Sequence, residues 1–213
     1  MSKNIVNTED SNEVTNFFYA VTNSLPSFNG LWIPENIPKL TENFINNISK
    51  LDFFDIAYEV ITNLVNLNDI SNKQLDACVI KEIIKKSFNF PININTISTE
   101  ENLHILETFH GPTLTFKDFG AKFLAEYLKT VLDKDKSYLV LVSTSGDTGS
   151  AIASAFHKCE NIKVIILYPS NGVSKMQELQ ITTYYDNVYA FSLDTDFDKC
   201  QLFVKKAFID ENL

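Results

Sequence analysis

The sequence contains no arginine, so all 18 of its basic residues are lysines. A lysine meets a phosphate as a single charged point, whereas arginine offers a two-pronged fork of donors. Any anion bound here must therefore be held by backbone amides, hydroxyl groups and lysines. The formal net charge is −9 and no run of lysines exceeds two residues, which disfavours binding to nucleic acid or anionic lipid. Small molecules or proteins are the expected partners.

Cysteine and long apolar runs are also rare. Cys78, Cys159 and Cys200 form no C-x-x-C pair and are odd in number, which argues against a secreted disulfide framework and against a metal site. No apolar run reaches membrane-spanning length, and the first twenty residues lack the basic start and apolar core of a signal peptide. We expect a soluble cytoplasmic protein that binds no metal.

The 213 residues are 45% apolar, which is enough for one large or two small domains. Residues 1–95 are rich in Asn, Ile and Phe, and apolar residues recur at helical spacing in 53–67 and 75–88. This half is predicted to be mainly helical. Residues 91–99 indicate a polar connector, which places a domain boundary near residue 95.

Residues 96–213 show a different rhythm, in which apolar strands alternate with helical stretches. This rhythm is typical of parallel β-α-β units, and so of an α/β fold with a mainly parallel, doubly wound sheet. Helices are predicted after Lys117 and over 197–209. The pattern stops where such a sheet would continue with another strand, so we expect an incomplete α/β domain. The predicted strands are Tyr138–Ser143, 163–168 and Val188–Leu193.

The segment 107–120 combines a histidine, several hydroxyl groups, a lysine and an aspartate in a turn that contains Gly and Pro. A lysine amine attacks an aldehyde only after losing its proton, and Phe116 and Phe119 beside a helix start would disfavour its charged form. Lys117 is therefore a candidate Schiff-base nucleophile. An ordinary surface lysine at a helix start is the alternative, which the Lys-Asp dipeptide alone does not exclude.

The segment Ser143-Thr-Ser-Gly-Asp-Thr-Gly149 forms a corner between a predicted strand and a predicted helix. Its two glycines permit a tight turn and close approach of a ligand, and amides at the helix start face an anion. The hydroxyl groups of Ser145 and Thr148 add donors. The carboxyl end of a parallel strand is also where open α/β sheets bind ligands. The corner therefore suits a carboxylate or a phosphate.

The alternative for this corner is an ordinary capped turn in which Asp147 or Ser145 is the N-cap. Three common motifs are absent from the sequence: G-x-x-x-x-G-K, G-x-G-x-x-G and G-x-S-x-G. Their absence removes support for a P-loop, a dinucleotide-binding loop and a hydrolase nucleophile elbow.

Together, the segments His110-Gly-Pro-Thr-Leu-Thr-Phe-Lys-Asp-Phe-Gly120 and Ser143 to Gly149 resemble, in order and separation, the two signature segments of the threonine synthase family. The similarity continues at 30–34, 164–169 and 197–201, and so covers nearly the whole chain. It implies the amino-terminal half of a fold-type II pyridoxal-phosphate (PLP) enzyme. Members of the threonine synthase family convert O-phospho-L-homoserine and water into L-threonine and phosphate, the last step of threonine biosynthesis.

The resemblance also implies roles for individual residues. Lys117 would hold PLP as a Schiff base and then act as the base at Cα and Cβ of the substrate. Phe116 and Asp147 would lie beside the cofactor, Asp147 near its ring face or 3-hydroxyl. For His110 and Thr113, contact with the ligand and bracing of the turn both remain open. The residues expected to bind substrate are Ser145, Gly146, Thr148, Gly149, His110 and Thr113.

The chain departs from the family pattern in three respects. Lys175 stands where proline is common, and Thr115 stands where alanine is frequent. Members of the family are considerably longer, and their glycine-rich loop for the cofactor phosphate and their partner for the pyridine nitrogen are not found in this sequence. We therefore expect these 213 residues alone to be inactive.

Two rival functions remain. Another fold-type II enzyme, such as a threonine or serine dehydratase or a phosphoserine-using synthase, would share the lysine and a carboxylate-binding turn. A non-catalytic module could instead pair with another chain through an exposed strand edge. The sequence does not predict an oligomeric state.

Overall fold

The computed structural model describes residues 3–27, 30–68 and 75–210. The chain divides into two compact units, Met1–Lys86 and Ser87–Leu213. The domain boundary expected near residue 95 stays a prediction. None of the helices within the described ranges is both long and apolar enough to cross a membrane.

The first unit combines helices with three very short strands, β1 (Ile5–Asn7), β2 (Val14–Thr15) and β3 (Trp32–Pro34). They form an antiparallel sheet in the order β2-β1-β3. Strands of two or three residues are too short to show alternation, so the sequence pattern did not reveal them. The helices are α1 (Phe17–Asn23), α2 (Glu42–Asn47), a 3-10 turn (Ile48–Lys50), α3 (Phe53–Leu64) and α4 (Ala77–Ser87).

Helices α3 and α4 confirm the two predicted from their apolar spacing. Helix α3 begins at the N-cap Asp52, whose side chain accepts a hydrogen bond from the amide of Asp55. It ends at Leu64, earlier than predicted, because Val65 has an extended backbone. Lys81 of α4 forms a 2.7 Å ion pair with Asp55, but both side chains are nearly half exposed and the pair adds little stability.

The second unit begins with an antiparallel hairpin of β4 (Asn93–Ser98) and β5 (Leu103–Glu107). The prediction of a polar connector over 91–99 is therefore wrong, since most of that segment is a strand. The error has a physical cause. Nearly every residue of the two strands is exposed, so there is no buried face to impose alternation of apolar and polar residues.

The rest of the second unit is a β-α-β array, which confirms the predicted α/β class. Strands β6, β7 and β8 form a parallel sheet in that order, with Val140, Val164 and Val188 in register. The middle strand is the most buried and carries the fully buried Val164 and Ile166. The elements are α5 (Lys117–Val131), β6 (Tyr138–Ser143), α6 (Asp147–Phe156), β7 (Ile162–Pro169), α7 (Lys175–Thr182), β8 (Val188–Leu193) and α8 (Phe197–Phe208).

Candidate active site

Lys117 is the first residue of α5, as the sequence predicted. Its side chain is partly exposed, and its Nζ lies 4.3 Å from the centroid of the Phe116 ring. Within the described part of the chain, this amine has no hydrogen bond and no ion pair. Phe119 packs against Phe88 and Phe90, with ring centroids 5.8 and 4.8 Å away. Among the described residues, no carboxylate therefore holds the amine of Lys117.

The turn before Lys117 is organised by Asp118, which is only 1% exposed. Its Oδ2 accepts a hydrogen bond from the amide of Thr113 at 2.9 Å, and its Oδ1 accepts one from the Thr113 hydroxyl at 2.7 Å. Gly111 allows this turn, because a Cβ there would lie 2.4 Å from Asp118 Oδ2. Asp118 was not among the predicted site residues. The sequence showed that Asp118 follows Lys117, but it did not show the two hydrogen bonds that Asp118 accepts from Thr113.

His110 is also engaged by the protein itself. Its Nε2 lies 2.6 Å from Glu107 Oε2 and 3.3 Å from Asn93 Nδ2. The hydrogen bond from His110 lowers the pKa of the Glu107 carboxyl. Because His110 and Thr113 both have internal partners, the geometry favours bracing of the turn over ligand contact, and the assignment remains a proposal.

The corner between β6 and α6 is built around Thr144, which is 2% exposed. The Thr144 hydroxyl accepts hydrogen bonds from the amides of Gly146 and Gly149, both at 2.9 Å. Gly146 is the N-cap of α6, at φ 139° and ψ −84°, a conformation that side chains strongly disfavour. The alternative in which Asp147 or Ser145 caps the helix is therefore wrong. Gly149 lets α6 approach closely, since a Cβ there would lie 2.5 Å from Thr144.

Two backbone amides remain free at this helix start. The amides of Asp147 and Thr148 have no hydrogen-bond partner among the residues that the structure describes. Ser145 and Thr148 are exposed, so their hydroxyl groups are accessible beside these amides. Unpaired amides at the start of a helix favour an anion through hydrogen bonding and through the helix dipole. The corner can therefore hold a carboxylate without an arginine.

Asp147 connects this corner to the lysine segment. Its Oδ2 accepts a hydrogen bond from the Thr115 hydroxyl at 3.4 Å, and its Oδ1 accepts one from Gln177 Nε2 at 2.7 Å. Thr115 is two residues before Lys117, so the two predicted segments meet in the structure. Sequence reasoning gave no role to Thr144 or Gln177. In the structure, Ser174 and Gln177 form a capping box at the start of α7.

No group of three or more His, Cys, Asp or Glu side chains within 3–27, 30–68 and 75–210 could hold a metal ion. Among the described residues, the groups that this site offers are the Lys117 amine, the hydroxyl groups of Ser145 and Thr148, and the unpaired amides of Asp147 and Thr148. A lysine without a partner among the described residues, on a segment that contacts a corner suited to an anion, is typical of one class of enzyme. Such an enzyme joins a carbonyl compound to a lysine and holds an anionic group next to it.

Comparison with known families identifies this class. Residues 92–212 match the family model described as pyridoxal-phosphate dependent enzyme, and residues 4–87 match the model described as threonine synthase N terminus. The chain belongs to the family of pyridoxal-phosphate-dependent enzymes.

Several curated relatives are threonine synthases. The chain is 37% identical over 209 residues to that of Escherichia coli K12, 38% identical over 209 residues to that of Buchnera aphidicola subsp. Schizaphis graminum, and 39% identical over 210 residues to that of Haemophilus influenzae. These matches cover 98 to 99% of this chain and 47% of each relative. The chain therefore spans about half the length of the curated relatives it matches.

Solved structures agree with this result. The chain superposes on the threonine synthase of Escherichia coli with a TM-score of 0.86 at 36% identity, covering 99% of this chain and 47% of that one. It superposes on the PLP-bound threonine synthase of Brucella melitensis with a TM-score of 0.82 at 29% identity, covering 99% and 45%. The fold is that of the amino-terminal half of these fold-type II enzymes, which confirms the resemblance.

Proposed function

We propose that these residues belong to a threonine synthase, which converts O-phospho-L-homoserine and water into L-threonine and phosphate. The observation that carries the proposal is the contact between Thr115 and Asp147, which brings the segment of Lys117 against the corner with free amides. The segment that carries the Lys117 amine thus contacts the corner that carries the unpaired amides. A cytoplasmic location and O-phospho-L-homoserine as the small-molecule partner are part of this proposal.

The residues present fit PLP in part. Lys117 supplies an amine for the aldehyde, Phe116 is 62% exposed beside it, and Asp147 offers a carboxylate that contacts Thr115, two residues before Lys117. When bound, PLP stabilises negative charge that develops on the amino-acid substrate. The six glycines of the sequence form no glycine-rich cradle for its phosphate, so we assign no phosphate anchor to these residues.

Lys117 then acts as the proton carrier. As a free amine, Nζ would take the proton from Cα, and only after it has passed that proton on would it take one from Cβ. Within the described residues no ion pair holds this amine, so the side chain is free to reach the substrate. Asp118, locked by its two bonds to Thr113, holds the start of α5 and so the direction from which Lys117 approaches.

The corner holds the substrate carboxylate in this proposal. The amides of Asp147 and Thr148 and the hydroxyl groups of Ser145 and Thr148 are the donors. Gly146 and Gly149 allow the corner to pack tightly, because a Cβ on Gly146 would collide with Gln177 and one on Gly149 with Thr144. Orientation of the carboxylate fixes which face of Cα meets Lys117.

The first test is the site of the covalent bond. We expect the full-length protein, incubated with PLP and reduced with borohydride, to carry the adduct on Lys117 after peptide mapping. Lys122 is the matched control. It lies on the same helix and burial lowers its pKa, which makes its amine a competing nucleophile. Lys117→Ala should abolish the adduct and Lys122→Arg should not. An adduct on Lys122 would contradict the proposal.

The second test concerns the substrate. Phosphate release from O-phospho-L-homoserine should far exceed ammonia release from L-threonine or L-serine. The opposite preference would assign the protein to the dehydratases, which share a lysine and a carboxylate-binding turn.

A further inference from the structure

Gln177 has both ends of its side-chain amide engaged. Its Oε1 accepts a hydrogen bond from the amide of Ser174 at 3.0 Å, and its Nε2 donates one to Asp147 Oδ1 at 2.7 Å. The Ser174 hydroxyl accepts in turn from the amide of Gln177 at 3.3 Å, which completes the capping box of α7. The Ser174 N–H is a donor, so it pairs with the oxygen of the Gln177 side-chain amide and not with its nitrogen. The capping box therefore orients this amide so that its NH₂ group faces Asp147.

The same side chain also lies against the backbone of the corner. A Cβ on Gly146 would lie 2.4 Å from both Cδ and Nε2 of Gln177. Gln177 therefore contacts the N-cap of α6 as well as the carboxylate of its first residue. Both contacts are at the start of α6, where the amides of Asp147 and Thr148 have no partner among the described residues.

Helix α7 reaches the lysine segment too. Gln180 lies three residues after Gln177, and its Nε2 donates to the carbonyl oxygen of Thr113 at 3.4 Å. One face of α7 thus touches both segments. The bond from Gln177 to Asp147 is the shortest of these contacts and has a charged acceptor, so it is the strongest of them.

We infer that Gln177 is a positioning residue, which holds Asp147 and Gly146 so that the free amides of the corner face the substrate carboxylate. This inference rests on the proposed function. Gln177 contacts neither Lys117 nor, in this assignment, the substrate. It acts through the corner.

The test compares two variants that divide the roles of Gln177. In Gln177→Glu, a carboxylate oxygen can still accept from Ser174, but Asp147 loses its donor and faces a like charge. In Ser174→Ala, the cap of α7 is weakened while the donor to Asp147 remains. Gln177→Ala removes both contacts without adding charge, and serves if the like-charged variant does not fold.

In the full-length enzyme we expect Gln177→Glu to raise KM for O-phospho-L-homoserine about tenfold, the size expected for a lost hydrogen bond to a charged group, with kcat changed less than about threefold. Binding of the carboxylate is weakened equally before and during the reaction, so KM carries the effect. Gln177→Ala should raise KM by a similar factor. Ser174→Ala should leave KM and kcat close to the values of the unsubstituted enzyme.

A second readout needs neither cofactor nor turnover. Hydrogen exchange of the amides in 144–150 should be faster in Gln177→Glu and in Gln177→Ala than in the unsubstituted protein, and unchanged in Ser174→Ala. If borohydride places no adduct on Lys117, the proposed function fails, and hydrogen exchange still decides whether Gln177 holds the corner. Equal effects of Ser174→Ala and Gln177→Glu, or unchanged KM and exchange in both Gln177 variants, would overturn the inference.

Discussion

The carboxylate of Asp118 accepts hydrogen bonds from both the amide and the hydroxyl group of Thr113, at 2.9 and 2.7 Å. Both residues are nearly inaccessible to solvent. Asp118 directly follows Lys117, so this pair anchors the turn to the first turn of α5. The position of the amine therefore depends on a buried hydrogen-bond acceptor, the Asp118 carboxylate.

Substitution of Asp118 should destabilise the protein without removing a reacting group. We expect Asp118→Asn to lower the free energy of unfolding by roughly 1–3 kcal/mol, because an amide NH₂ would replace one of two oxygens that face buried donors. Urea denaturation measures this change. Asp194→Asn is the control, since Asp194 is exposed. Equal stability of the two variants would show that the Asp118 contacts contribute nothing.

Two glycines should respond in opposite directions to alanine. Gly146→Ala places a Cβ on a residue with φ 139° and brings that Cβ against the Gln177 side chain. We expect this substitution to lower the free energy of unfolding by about 1–3 kcal/mol. Gly120→Ala lies inside α5 with open space around it, and should raise that free energy by about 0.5–1 kcal/mol. Thermal unfolding of both variants provides the comparison. Similar shifts for both would contradict the strained conformation of Gly146.

The pair of Glu107 and His110 predicts a specific pH dependence of stability. The hydrogen bond from His110 lowers the pKa of Glu107 below its ordinary value of 4.5. Its folded-state pKa is thus below its unfolded-state pKa, so the ionised group stabilises the fold above about pH 4.5, and this contribution is lost as pH falls through the folded-state value. The stability difference between the unsubstituted protein and Glu107→Gln should therefore shrink during acidification. A constant difference from pH 7 to pH 3 would refute this.

Residues 1–213 alone should release phosphate from O-phospho-L-homoserine at a negligible rate. The sequence offers the lysine and the carboxylate corner but no glycine-rich cradle for the phosphate of the cofactor. A sensitive phosphate assay on the purified 213-residue chain, with added PLP, measures this rate. Phosphate release that disappears in Lys117→Ala would show that these residues suffice for catalysis.

Much of the second unit could be predicted because its signals are local. Helix α5 and strands β6 and β8 begin where the apolar pattern placed them, since burial on one face requires that pattern. The hairpin of β4 and β5 escaped prediction because exposed strands carry no such requirement. Strands β1 to β3 were not predicted because two or three residues are too few to show alternation of apolar and polar residues.

The sequence by itself determined the α/β alternation, the helix start at Lys117 and the glycine corner, because propensity, periodicity and turn chemistry act between neighbours along the chain. Only the tertiary structure decided which groups meet. Asp147 bonds to Thr115, 32 positions earlier, and to Gln177, 30 positions later, because parallel strands and their crossover helices bring distant segments together. Such contacts depend on packing in three dimensions, which no local pattern records.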